Sequence, residues 1–422
     1  MKVVTRPLAD DRPLLAFIPP GTDAVTWVRR AAGDVPDASV SPTDEGLVGW
    51  GVAATVRPSG PQRFTQADAD LQELAAFADI DDTVQLPGSG LVGVGSFTFD
   101  PNATGSVLTI PRVFVGRRGG QTWITNIDPH DAPPVPEPWT GPVSEVDGDR
   151  PRFAGSSNPD LLWLEAVGRA IDWMRSDVAL TKVVLARDYA LWSKEPFDPL
   201  LTARRLHERF PSCHTFSVNG LTGATPELLV TRSGNAVTSR VLAGTTARGA
   251  DASEDAALGA ALLASEKDRF EHSLAATSVS EVLAPICTEL TGDDEPQLLR
   301  LDNVQHLATR FDGVLGSPYS SLEIAGALHP TAAVGGTPRS EALDAIAALE
   351  GMDRGRYAAP VGWTGPDGDG EWGIALRCAE LSGARARLFA GVGVVADSLP
   401  EDELEETRLK LRAMQSALDP TR

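Results

Sequence analysis

Cysteine is scarce in this 422-residue chain: Cys213, Cys287 and Cys378 stand far apart and form no CxxC pair. An odd, scattered set argues against a disulfide framework and a cysteine zinc site, and fits a reducing compartment. The three are read as small buried apolar residues. Positive charge is scarce too. Lys and Arg number 37 against 58 Asp and Glu, for a formal net charge of −21. Nucleic acid and anionic membranes both demand a basic surface, so neither is expected as a partner. No apolar run approaches the ~18–20 residues of a membrane span. No charged-then-apolar leader opens the chain, because Pro7, Asp10, Asp11 and Pro13 interrupt it. A cytoplasmic protein is expected. Dinucleotide GxGxxG, P-loop, internal repeat and low-complexity segments are all missing.

What is present is globular: 42% hydrophobic and 23% charged residues. The length suits two or three average domains or one large one. Residues from about 45 to 127 look β-rich. Gly46 to Val56 and Gly90 to Asp100 are apolar strand-like runs. Val107 to Val115 and Gln121 to Ile127 flank Gly119-Gly120 as a hairpin. Thr65 to Ile80 carries a helical pattern. Ala132 to Pro142 is proline-rich and reads as an irregular connection. After Asn158-Pro159, a helical stripe runs through Trp163, Val167, Ala170 and Met174. Lys182 to Trp192 predicts a strand and Pro199 to Arg209 a helix. Thr215 to Val218, Leu228 to Arg232 and Ala236 to Ala243 predict strands. Ser253 to Thr291 reads as mostly helical. Gly373 to Arg377 and Arg387 to Val395 predict strands before a last helix. Antiparallel pairings with helices outside them give an α+β class. The chain divides into a β-rich part, residues 1–145, and a second region, 146–422.

Several segments can carry chemistry. In the last helix, after Pro400, Glu403, Glu406 and Lys410 share one face. In the upstream segment Ser265 to His272, so do Asp268, Glu271 and His272. Two such faces meeting make an oxygen-rich pocket that suits Mg²⁺ rather than zinc. Otherwise they are solvated acidic helices. Lys182 heads an apolar strand, as a base or as a lysine reaching out from the edge. Glu227 follows a proline turn, as a buried general acid or a solvent-facing carboxylate. Gly244-Thr245 and the Gly391, Gly393 pair offer backbone N–H groups to an anion, or are tight packing points. Arg377, in an apolar strand, needs a carboxylate, from a substrate or from the protein. His306 is a ligand or a satisfied core histidine.

Read in order, KVVLARD, GATPELL, LAGTTARG, SEKDRFEH, VQHLAT, LHPTAAVGGTP, RGRYAAPVGW, GIALRC and AGVGVVADSLPEDELEETRLK resemble the chorismate-binding enzymes. That family includes isochorismate, salicylate, anthranilate and aminodeoxychorismate synthases. The resemblance spans about residues 155–417. It implies one large layered α/β unit with a β-rich core, helices outside it, and a site deep between two halves. It implies Glu271 and Glu406 as ligands of Mg²⁺, with Asp268 and Glu403 behind them. It implies Arg377 and Tyr357 on the enolpyruvyl carboxylate of chorismate, helped by the Gly391 and Gly393 backbone. Gly244, Thr245, His306 and Lys410 then surround the ring carboxylate and metal shell.

Three positions sort the members. Lys182 resembles the water-activating lysine of isochorismate and salicylate synthases. Ala243 stands where aminodeoxychorismate synthases place a lysine nucleophile. Ala333 stands where lyase-competent members carry threonine. The resemblance therefore implies isochorismate formation, with Lys182 as base and Glu227 as acid, serving menaquinone or siderophore synthesis. A salicylate synthase and a non-catalytic chorismate-binding protein are the alternatives. Neither a glutaminase subunit nor oligomerisation is implied.

Overall fold

Apolar, β-branched strands dominate this chain, and burying both faces of so many strands requires stacked sheets. In a computed structural model of the protein, the structure describes all residues except 32–43, 130–132, 143–149, 177–178, 302–303 and 420–422. The division placed at residues 145 and 146 lies outside the described residues, as does Ala132 of the proline-rich connection.

Two large sheets form the core. One has 13 strands among the described residues. Its path runs from Arg152–Gly155 through Lys182–Trp192, Arg385–Val394, Cys378–Ser382, Leu221–Thr225, His214–Val218, Ala24–Arg30, Asp44–Trp50, Val113–Arg118, Gln121–Asp128 and Lys2–Pro7 to Asp79–Asp82. Only the last pair is parallel. The other sheet has 10 strands. It runs from Cys287–Gly292 through Val304–Leu315, Ala236–Ala247, Leu228–Ser233, Gly370–Ile374, Pro360–Thr364, Gly93–Ser96 and Val107–Ile110 to Ala54–Val56. Both sheets mix strands from early and late in the chain, and antiparallel pairing with outer helices is the α+β class expected. Trp27, Trp50, Trp123, Trp163, Trp363 and Trp372 are each under 2% exposed. Each contributes roughly 4–6 kcal/mol of apolar burial as an upper bound.

Local readings shift in informative ways. The run from Gly46 to Val56 is two strands, Asp44–Trp50 and Ala54–Val56, in different sheets. The run from Val107 to Val115 is likewise split, at Pro111, because proline cannot donate to a ladder. The segment from Gly90 to Asp100 keeps only Gly93–Ser96 as strand. The helix read to Ile80 ends at Ala76, and Ile80 sits in Asp79–Asp82. Ser253 to Thr291 is two helices, Ala252–Ala264 and Glu266–Leu283, followed by the strand Cys287–Gly292. The break is Ser265, whose side chain accepts from the Asp268 N–H as an N-cap. The hairpin turns at Gly119 and Gly120, both at positive φ as a two-residue turn needs.

Candidate active site

Lys182 begins an eleven-residue strand whose first seven residues are buried. Its side chain is wholly buried, and its Nζ lies 2.9 Å from Glu271 Oε1. The partner strand Arg385–Val394 sets Gly393 opposite Val184 and Gly391 opposite Ala186. A Cβ at Gly393 would lie 2.0 Å from Glu271 Oε1 and 2.8 Å from Lys182 Cε. Only glycine leaves room for the lysine–glutamate pair to cross this strand. The Gly391 carbonyl accepts from Lys410 Nζ at 3.0 Å.

Glu271 comes from the helix Glu266–Leu283, and Glu406 and Lys410 from Pro400–Leu418. Pro400 at the first turn and the acidic run Glu401, Asp402, Glu403 suit a helix N-terminus. Lys410 Nζ lies 2.6 Å from Glu406 Oε1, and Lys267 Nζ lies 3.0 Å from Glu403 Oε1. His272 does not share the pocket face with Asp268 and Glu271, as its spacing suggested. Its ring nitrogens lie 3.2 Å from the Ala243 carbonyl and 2.8 Å from Thr309 Oγ1, so it is a satisfied histidine packed on the sheet.

The carboxyls here carry more negative charge than they can share. Burial first, then the neighbouring Glu271 and Glu406, push Asp268 above the usual carboxylate range. Burial and Glu406 do the same to Glu403. Burial also pushes Glu271 up, but Lys182, Lys410 and Lys267 outweigh it and leave Glu271 below its ordinary value. Hard oxygen donors, crowded and partly uncompensated, fit a divalent cation such as Mg²⁺. Among the described residues, no three His, Cys, Asp or Glu side chains converge as a ready-made cage. The donors are held by lysines instead.

The opposite wall belongs to the second sheet. Glu227 precedes the strand Leu228–Ser233 and is 3% exposed. Burial pushes its carboxyl up to about 7, and Arg377, Lys182, Arg240 and Lys410 pull it back only in part. Gly244 lies one residue past Ala243, where its strand was predicted to end. The strand continues to Ala247, with Gly244 at φ +76° where its register against Val304–Leu315 shifts. That places the Gly244 carbonyl and Thr245 Oγ1 3.3 and 3.1 Å from His306 Nδ1. His306 Nε2 lies 3.2 Å from Arg377 Nη2. A guanidinium only donates, so Nε2 accepts and Nδ1 carries the hydrogen. Burial, then Arg377 and Lys410, hold His306 well below its ordinary pKa, in keeping with that neutral tautomer.

Arg377 is not in a strand. The strand Gly370–Ile374 has ended, and Arg377 sits at φ +46° in the link to Cys378–Ser382. Ala358, also on the pocket wall, is at φ +60°. Left-handed backbone at a non-glycine residue costs about 1–3 kcal/mol, and such residues cluster at functional sites. Tyr357 stacks on Phe389 with ring centroids 5.1 Å apart.

One pocket between the sheets is thus lined by Glu227, Gly244, Thr245, Glu271, His306, Ala333, Tyr357, Arg377, Gly391, Gly393, Glu406 and Lys410. Lys182 lies just beneath Gly393, while Asp268 and Glu403 stand behind the lining. Residues not anticipated are Ala358, whose backbone angle leaves no trace in sequence, and Lys267. The latter's place between acidic residues in SEKDRFEH was a usable signal. Glu350 and Arg354, buried behind the pocket, were also missed.

Residues 149–419 match the family described as "Chorismate binding enzyme". The "Salicylate biosynthesis isochorismate synthase" of Pseudomonas aeruginosa is 38% identical over 402 residues, covering 87% of this chain and 82% of that protein. Isochorismate synthase EntC of Escherichia coli K12 is 36% identical over 295 residues, covering 66% and 75%. The solved menaquinone-specific isochorismate synthase MenF of Escherichia coli shares the fold, with a TM-score of 0.80 over 99% of this chain and 94% of that one, at 24% identity.

Proposed function

The chain belongs to the chorismate-binding enzyme family, and from that premise we propose that it is an isochorismate synthase acting in the pocket between its two sheets. Water adds at C2 of chorismate, the C4 hydroxyl leaves as water, and the ring double bonds shift. One water enters and one departs, so the step is an isomerisation.

The observation that carries this reading is Glu227. It is a buried carboxyl near pKa 7, on the wall opposite Lys182. A general acid poised near neutrality suits protonation of a leaving hydroxyl. Lys182 takes the proton from the attacking water. Only the neutral amine has a lone pair, so the ammonium paired with Glu271 must first pass its own proton to solvent before it can take one from the attacking water. Arg377, oriented by neutral His306, offers a planar fork to one substrate carboxylate, with Tyr357 beside it. Lys410 and Thr245 face the ring carboxylate. In a chain of net charge −21 these groups supply the local positive field that a dicarboxylate needs.

Mg²⁺ is the cation we assign to Glu271 and Glu406, with Asp268 and Glu403 behind them. When bound, it supplies a fixed positive charge against the ring carboxylate. Ala333, small and at the pocket wall, favours isochorismate over elimination of pyruvate as the released outcome. Water as nucleophile leaves no task for a glutaminase subunit, and we read the chain as a monomer. We also read it as cytoplasmic, in keeping with Cys213, Cys287 and Cys378 forming no disulfide; among the described residues no helix is long and apolar enough to cross a membrane.

The test is incubation of the purified protein with chorismate, with and without Mg²⁺, followed by chromatography. Isochorismate formed only with the metal supports the reading. Stoichiometric salicylate and pyruvate would make the chain a salicylate synthase, and no conversion at all would make it a binding protein.

A further inference from the structure

The strand that carries Lys182 is incompletely paired. One edge lies along Arg385–Val394. On the other, Gly336–Thr337 covers Lys182 and Val183, and Arg152–Gly155 covers Ala190 to Trp192. Between these, among the described residues, no strand lies against Val184 to Ala186. An unpaired buried ladder edge costs several hydrogen bonds unless something else satisfies it.

The Val184 N–H donates to the Gly335 carbonyl at 2.9 Å, and side chains complete the rest. Glu350 Oε2 accepts from the Ala186 N–H at 2.8 Å, and Arg354 Nη2 donates to the Val184 carbonyl at 2.7 Å. The two residues are also locked to each other. Arg354 Nε donates to Glu350 Oε1 at 2.7 Å and Nη2 to Oε2 at 2.6 Å. Their side chains are 3% and 1% exposed. The remaining fork nitrogen, Nη1, donates to the Val334 carbonyl at 2.9 Å, and the Arg354 carbonyl accepts from the Tyr357 N–H at 3.0 Å. Val184, Val334 and Tyr357 each line the pocket.

We propose that Glu350 and Arg354 are positioning residues that hold three walls of the pocket, the lysine strand, the Ala333–Val334 segment and the Tyr357 turn, in one registry. A buried ion pair is weak evidence of stabilisation in itself, since apolar residues of similar volume often replace one at no loss. Its use here is geometric. The rigid fork of one arginine reaches two carbonyls and a carboxylate at once, which a lysine point charge does not.

The inference rests on the isochorismate synthase reading, and the experiment separates the two. Wild type, Arg354→Lys and the double variant Glu350→Met/Arg354→Met are assayed for chorismate turnover and product ratio, with melting temperature and circular dichroism as fold controls. The double variant leaves no buried unpaired charge, so it guards against a single variant that fails to fold. A fall in kcat of roughly 10–100-fold is expected. KM should be little changed, melting should stay cooperative, and the pyruvate fraction should rise as the Ala333 wall moves. Folded variants with wild-type kcat and product ratio overturn the positioning role and leave the function standing. A drop in melting temperature with unchanged kcat per folded molecule overturns it equally. Wild-type protein that does not convert chorismate overturns the function, and the positioning role with it.

Discussion

Two glutamates face the same pocket and are shifted in opposite directions. Glu271 meets Lys182 at 2.9 Å and is held below the ordinary carboxylate range. Glu227 is pushed up to about 7 by burial. Among the described residues no lysine or arginine contacts its carboxyl at ion-pair distance. Both feel the same low dielectric, which alone disfavours charge. The difference is one close cation. The sheet that carries Lys182 and its glycine neighbour builds a close ion pair, while the sheet that carries Glu227 leaves a carboxyl that titrates near 7. A pocket made between two sheets can thus keep a base and an acid apart at one pH.

Breaking each side of that contrast is expected to have the largest effects. Lys182→Ala and Glu227→Gln should each lower turnover about 10²–10⁴-fold, with chorismate binding nearly intact by calorimetry. The two sites should differ in their pH signature. Glu227 acts while protonated, so wild-type turnover should fall as pH rises through about 7, and Glu227→Gln should lose that limb. Near-wild-type turnover in Lys182→Ala would remove it as the base.

Gly393→Ala comes next. Its methyl would sit 2.0 Å from Glu271 Oε1, so Glu271 or the strand must move. A displacement near 1 Å can cost about 10²-fold in rate. Kinetics on a variant with a wild-type melting curve would check this, and full activity would show that Glu271 has other room.

Glu271→Gln and Glu406→Gln should each weaken Mg²⁺ binding in the presence of chorismate, because a neutral amide replaces an anionic ligand. Unchanged affinity by calorimetry in both would remove them from the metal site. The smallest effect is expected from Ala333→Thr, which should raise the pyruvate by-product without converting the enzyme. Chromatography of the product mixture reads it.

Much of this site was legible because its residues sit in short, distinctive strings. KVVLARD announces a lysine entering a buried strand, and SEKDRFEH and LPEDELEETRLK announce acidic helix faces. Periodicity set Asp268, Glu271 and His272 on one helix face, yet Glu271 lines the pocket and His272 does not. One helical face is wide enough to serve both a pocket and a sheet, and packing against Ala243 and Thr309 chose for His272. GIALRC read as strand because its residues are apolar, yet the chain turns at Arg377 in a left-handed conformation that side-chain type does not report. Gly244 failed likewise: a glycine is equally a loop or a bulge until the neighbouring strand is known.

By itself, the sequence determined the chemistry available: an acidic α+β chain, a lysine at a strand's start, a glutamate after a proline turn, two acidic helices and glycines at fixed spacing. These follow from residue type and local period, which act over a few residues. Tertiary structure alone decided which way each carboxyl would shift. That depends on the 2.9 Å contact between Lys182 and Glu271, residues far apart in the chain, across a glycine strand from further on still. Electrostatic energy in a buried site varies steeply with distance and dielectric, and neither is written in sequence order.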